Sequence, residues 1–177
     1  MDFIAFDFET ANHEKHSACS VALTFVKNNQ ITNEYYTLIK PETPFFWRNI
    51  QVHGIKEEDV ALAPYFPEVW YHLKDYFTEN QLIVAHNMNF DKSILAGCLD
   101  YYGMPAPHYK TLCTVQSSRK LLPASSNHRL NTVCDYLNIP FENHHHALAD
   151  SNACAKILLH LEEQFGEQAL KPFIKSI

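Results

Sequence analysis

Four acidic residues stand where burial should be expensive. Asp7 and Glu9 lie two apart in the apolar run FIAFDFE, and strand alternation points both side chains to one face near the C-terminal end of that strand. Asp91 heads a helical stripe with Ile94, Leu95, Cys98 and Tyr102, and Asp150 heads another with Ala147, Ala153, Cys154, Ile157, Leu158 and Leu161, each at the spacing of a core-facing helix face. Either aspartate alone could be a helix N-terminal acid favoured by the dipole, and a lone DxE could be a solvated strand end. Bringing four ionised carboxylates into a partly dry site costs several kcal/mol per ion without positive compensation. No Lys or Arg adjoins any of them by a short sequence offset. An all-oxygen site of this kind suits Mg²⁺ or Mn²⁺, and two such ions would balance the four charges. The segment NHHHALAD at 143–150 adds a base. Three adjacent histidines cannot all face one ion from a regular element. A His on the loop before Asp150 can instead take a proton from an activated water, and its ordinary pKa near neutrality suits that task.

Composition narrows the alternatives. The chain has 177 residues, 46% of them hydrophobic and 19% charged, with a net charge of -6, and this length suits one compact domain, 1–177. Without the four acids the charge would be -2, so a polyanionic partner must be held locally or through metal rather than by a general basic surface. Only four glycines occur, which excludes a Walker P-loop, a Rossmann fingerprint and a GxSxG nucleophile elbow. Five scattered cysteines with no CxxC pair read as reduced thiols, so a cytoplasmic location is expected. The opening MDFIAFDFET lacks the features of a signal peptide, and no apolar run approaches the ~20 residues of a membrane span.

The elements that must position these residues follow from local pattern. Runs at 2–8, 19–27 and 31–39 are rich in Ile, Val, Phe, Tyr and Thr and predict strands, the last two forming a hairpin across Asn28 and Asn29. Residues 41–64 carry three prolines and little periodicity. Helices are predicted at 65–77, 92–102, 129–137 and 147–165, with a short buried strand at 82–85. Strands first, then alternating helix and strand, point to an α/β architecture with a mixed sheet covered by helices.

The segments DFETA at 7–11, VHGI at 52–55, HNMNFD at 86–91 and HHALAD at 145–150 occur in the order in which similar segments occur in the DEDDh 3′–5′ exonucleases. The chain resembles that family over residues 2 to about 165, most nearly its branch of proofreading (epsilon) subunits of bacterial DNA polymerase III. The resemblance implies a ribonuclease H-like fold and two-metal hydrolysis of a 3′-terminal phosphodiester to nucleoside 5′-monophosphates. It further implies that Asp7 touches both ions, Glu9 and Asp150 help hold the nucleophile-side ion, Asp91 acts on the other, and His145 is the general base. His145 takes that role over His146 because HxAxxD places the His five residues before the Asp. For the substrate it implies that the Thr10 backbone meets the terminal 3′-hydroxyl, while His53, Asn87 and Phe90 border the last nucleotide.

Single-stranded DNA 3′ ends are the expected partner. An exoribonuclease similar to ribonuclease T or oligoribonuclease, and a non-catalytic strand-end binding module, are the alternatives. Only 27 residues follow Asp150 and no polymerase-binding tail is visible among them, so a stand-alone nuclease or the catalytic part of a repair protein is expected.

Overall fold

A computed structural model describes all 177 residues. Its centre is β1 (Phe3–Thr10), paired antiparallel with β2 (Ala18–Lys27), which pairs antiparallel with β3 (Gln30–Leu38). Asn28 and Asn29 close the β2–β3 hairpin with φ of 51° and 59°. Two consecutive positive φ values match the strands' twist, and Asn tolerates them better than most residues. On the other side of β1 lie β4 (Leu82–Ala85) and β5 (Lys110–Cys113), parallel to it, then the short antiparallel β6 (Lys175–Ser176). The sheet order is therefore β3-β2-β1-β4-β5-β6, the expected mixed sheet.

Helices cover both faces. α1 (Trp47–His53), α2 (Phe66–Leu73) and α3 (Met88–Tyr101) precede β5. After it come α4 (Thr114–Leu121), α5 (Leu130–Tyr136), α6 (Ala147–Phe165) and α7 (Glu167–Leu170). Strand alternation splits the core in two. Ile4, Phe6 and Phe8 of β1 pack with Phe66, Val69, Trp70, Ile94 and Leu95 from α2 and α3. Phe3 and Ala5 face Cys154, Ile157, Leu158 and Leu161 of α6 and Val133 of α5. Asp7 and Glu9 continue that second, odd-numbered face, which is why their side chains run toward α6.

Several boundaries differ from the sequence reading. The helix predicted from residue 92 begins at Met88, because Asn87 adopts a left-handed φ of 77° and turns the chain sharply out of β4. β1 runs to Thr10 rather than stopping at residue 8, which carries Glu9 within the strand. The helix predicted to 77 tightens into a 3₁₀ turn at Lys74–Tyr76. Three elements beside the site were absent from that reading. α1 buries no residue, the buried face of α4 is polar (Thr114, Ser117 and Ser118), and β5 has only four residues, so none presents a long apolar stripe.

Candidate active site

β4 pairs with β1 only at Ile4 and Ala5, so the end of β1 beyond them projects past the parallel strands. A crevice outside the carboxyl ends of such strands is the usual place for a ligand in an open α/β sheet. Asp7 and Glu9 stand there, and α6 delivers Asp150 from its first turn. Ligand oxygens of Asp7, Glu9 and Asp150 lie within 4.8 Å of one another. Asp91 arrives from the opposite face of the sheet, in the first turn of α3. It is 1% exposed, and its Oδ1 accepts a hydrogen bond from the Phe8 backbone N–H at 3.1 Å.

The electrostatics follow from crowding and burial. Asp7 is pushed well above the usual carboxylate range, first by burial and then by Asp91, Glu9 and Asp150. Burial, Asp150 and Asp91 raise Glu9 to about 8. Burial raises Asp91 to about 8 against the pull of its backbone N–H bonds, and burial raises Asp150 to about 7 although the His145 N–H opposes it. No Lys or Arg forms an ion pair with any of the four. This donor set fits a hard divalent cation, which would replace the protons the carboxylates otherwise retain.

The histidine run divides as its chain geometry dictates. His145 has a left-handed φ of 68°, which for a side chain with a Cβ costs about 1–2 kcal/mol. Its backbone N–H donates to both Asp150 oxygens at 3.1 and 3.2 Å. The His145 ring stacks on His144 with centroids 3.8 Å apart, and a ring nitrogen of each lies within 4.8 Å of an Asp150 oxygen. Burial lowers the pKa of both, leaving neutral imidazoles at pH 7. His146 turns away and packs on Tyr36 at 4.7 Å. The sequence reading anticipated the separation of His145 from His146 but not the approach of His144.

Two cavities meet at Asp7, His145 and Asp150. The first, about 370 Å³, also takes in Thr10, Arg48, Asn49, Val52, His53 and Phe90. The Thr10 carbonyl accepts from His53 Nε2 at 3.0 Å and from Asn49 Nδ2 at 2.9 Å, while His53 Nδ1 accepts from the Ile55 N–H at 3.0 Å. Both ring nitrogens of His53 are thus committed to the protein, and burial lowers its pKa. Phe90 is 39% exposed, so it is a cavity wall rather than core. Asn87 departs from the expected grouping. Its left-handed turn opens into the second cavity, about 590 Å³, with His86, Arg119, His128, Arg129, Asn131 and His144. Asn49 was missed by the sequence reading, although its place one helical turn before His53 puts both on one face of α1.

Residues 4–158 match the family described as Exonuclease. The chain belongs to the exonuclease family. It is 27% identical over 172 residues to the PolC-type DNA polymerase III of Caldanaerobacter subterraneus subsp. tengcongensis, covering 96% of this chain and 12% of that protein. It is 25% identical over 169 residues to the 3′-5′ exonuclease DinG of Staphylococcus epidermidis, covering 93% of this chain and 18% of that protein. The chain therefore spans less than a fifth of the length of either relative. Its fold matches the nuclease domain of 3′hExo, a DEDDh family member bound to rAMP, with a TM-score of 0.78, 18% identity and 94% of each chain covered. No helix is long and apolar enough to cross a membrane.

Proposed function

We propose that the chain is a single 3′–5′ exonuclease domain that hydrolyses single-stranded DNA from its 3′ end to nucleoside 5′-monophosphates. The observation that carries the proposal is the convergence of Asp7, Glu9 and Asp150 at the end of β1, with Asp91 behind them and a neutral His145 beside them. Asp7, Glu9, Asp91 and Asp150 would hold two divalent ions, Mg²⁺ or Mn²⁺, whose chemistry is to stabilise the attacking and leaving oxygens of an in-line displacement.

The chain's own groups supply the rest. His145 takes the proton of the attacking water, for which a neutral imidazole is required. Its hydrogen bonds to Asp150 fix the loop that presents it. The cavity walled by Thr10, Val52, His53 and Phe90 receives the terminal nucleoside. Phe90 offers a base-stacking face. His53 acts through Thr10, holding the strand end that meets the 3′-hydroxyl. Asn87 contributes from the neighbouring cavity.

DNA is favoured because the curated relatives include a DNA polymerase. RNA is the second reading, favoured by the rAMP bound to the structural neighbour. Matched 5′-labelled DNA and RNA oligonucleotides with Mn²⁺ separate the two readings. Faster shortening of DNA from the 3′ end supports the proposal, and a strong preference for RNA moves the substrate to the second reading. Binding without turnover of either polymer leaves a strand-end binding module.

A further inference from the structure

The chain contains three arginines, Arg48, Arg119 and Arg129, and eleven lysines. All three arginines line the two cavities that meet at Asp7 and Asp150, and no lysine lines either. Arginine presents a planar fork of donors that matches phosphate oxygens, whereas lysine offers only a point charge. Arg48 is already engaged, with its guanidinium over the Trp47 ring at 5.2 Å. Arg119 and Arg129 form no salt bridge. Both are exposed. Arg119 occupies the last turn of α4, where the helix dipole favours a cation. Arg129 has no such excuse, because it is the N-cap of α5, where the dipole disfavours a cation and where Ser, Thr, Asn or Asp would cap.

The loop that carries Arg129 is fastened from several directions. The His86 Nε2–H donates to the His128 carbonyl at 2.9 Å, and His86 Nδ1 accepts from the Thr114 hydroxyl at 2.8 Å. His128 Nδ1 bonds the Ser118 hydroxyl at 3.1 Å. The Ser125 hydroxyl donates to the Asn127 carbonyl, and the Asn127 side chain accepts from the Arg129 N–H. His86 therefore ties the end of β4 to the start of α4 and to the arginine loop. With burial holding its pKa at about 4, it stays neutral across the physiological range. The two arginines thus line a cavity whose wall is held in place by these bonds, and that cavity adjoins the Phe90 cavity at Asp7, His145 and Asp150.

We propose that Arg119 and Arg129 form a phosphate-holding subsite for the phosphodiesters upstream of the scissile bond. The inference deepens the exonuclease reading and rests on it for the direction of the strand. It answers a problem set by charge: a chain of net charge -6, with four carboxylates at its centre, needs local cations to hold a polyanion away from the metals. Guanidinium groups on one wall give strand affinity without base readout.

The test is fluorescence anisotropy of a labelled thymidine pentanucleotide with Ca²⁺ over a salt series, alongside Mn²⁺-dependent cleavage of the pentanucleotide and of the dinucleotide TpT. The only phosphodiester in TpT is the scissile one. The variants are Arg119→Ala/Arg129→Ala, Arg119→Lys/Arg129→Lys and Lys120→Ala. Each phosphate contact on a single strand contributes about 0.7 to the slope of log affinity against log salt, so the Ala pair should be shallower by about 1.4. Its KM for the pentanucleotide should rise with little change in kcat, and the advantage of pentanucleotide over TpT should shrink. The Lys pair should restore the slope, and Lys120→Ala should match the unaltered protein. An unchanged slope in the Ala pair overturns the inference, as does an equal loss in Lys120→Ala or a failure of the Lys pair to recover any slope. If the unaltered protein cleaves neither substrate, the exonuclease reading fails, and the salt slope in Ca²⁺ still decides the subsite.

Discussion

Replacing Asp150 with Asn should stabilise the metal-free protein. Asp150 is 6% exposed and its carboxyl is held at about 7 rather than its ordinary 3.8, chiefly by burial. Because the folded state binds the proton more tightly than the unfolded chain, stability is full below about pH 4, falls as pH rises toward 7, and is flat above about 8. One pKa unit corresponds to 1.36 kcal/mol, which makes the cost at pH 8 about 4 kcal/mol as a ceiling and about 2 kcal/mol after relaxation and water penetration. An Asn at this position keeps an oxygen for the His145 N–H, now bonded at 3.1 Å, and presents an amide to Asp7 and Glu9. For a chain of this size each kcal/mol shifts Tm by roughly 2–4 °C, so D150N should melt roughly 5–15 °C higher in EDTA at pH 8. The gap should close toward pH 4. Mn²⁺ at a hundredfold excess over Kd should stabilise the unaltered protein by about 2.7 kcal/mol, raising its Tm by roughly 5–10 °C, and should raise that of D150N less. Differential scanning fluorimetry across pH 4–9, with and without metal, measures all of this. A D150N protein no more stable than its parent at pH 8, or a gap independent of pH, would refute the reasoning that burial makes an ionised Asp150 costly in the metal-free protein.

The remaining predictions concern the histidine run and the packing behind the site. His145→Ala should lower the cleavage rate by about 10²–10⁴-fold, as expected for a lost general base, while His146→Ala, which removes only a ring packed on Tyr36, should cost far less; equal losses in steady-state rates would reassign the base. Gly97 of α3 lies against the loop that precedes β2, where an added Cβ would come within 2.3 Å of Lys15 Cβ and 2.6 Å of its carbonyl oxygen. The Gly97→Ala variant should therefore be destabilised by about 1–2 kcal/mol, an overpacking cost of about 2–3 kcal/mol, because backbone atoms of Lys15 must move, less about 1 kcal/mol of helix propensity, as read from urea denaturation. It should also raise KM, because Lys15 Nζ sits 5.9 Å from the Phe90 ring centroid; a variant as stable as its parent would contradict that packing.

What the sequence made legible depends on how strongly each element is patterned. α6 matched its predicted bounds because Ala147, Cys154, Ile157, Leu158 and Leu161 repeat at the helical period and are all buried. The hairpin was legible in Asn28–Asn29, whose tolerance of positive φ is local chemistry. The acids were legible because each interrupts an apolar face. α1 was not, since it is held by polar bonds from Asn49 and His53 to a strand end rather than by a buried stripe. The arginines were invisible for a related reason. No sequence offset places Arg48, Arg119 or Arg129 near Asp7; only the fold does, by bringing α1, α4 and the start of α5 to the two cavities that include Asp7. Asn87 was grouped with His53 and Phe90 by resemblance, and the left-handed turn that starts α3 opens it into the other cavity.

The central claim is that Asp7, Glu9, Asp91 and Asp150 hold metal that drives hydrolysis from a 3′ end. A gel time course on 5′-labelled single-stranded DNA, with the unaltered protein and Asp7→Ala in Mg²⁺, Mn²⁺ or EDTA, tests it most directly. A ladder that shortens from the 3′ end, requires metal and vanishes in Asp7→Ala is the predicted result. Cleavage that persists in EDTA or in Asp7→Ala, or an intact oligonucleotide under every condition, would contradict it.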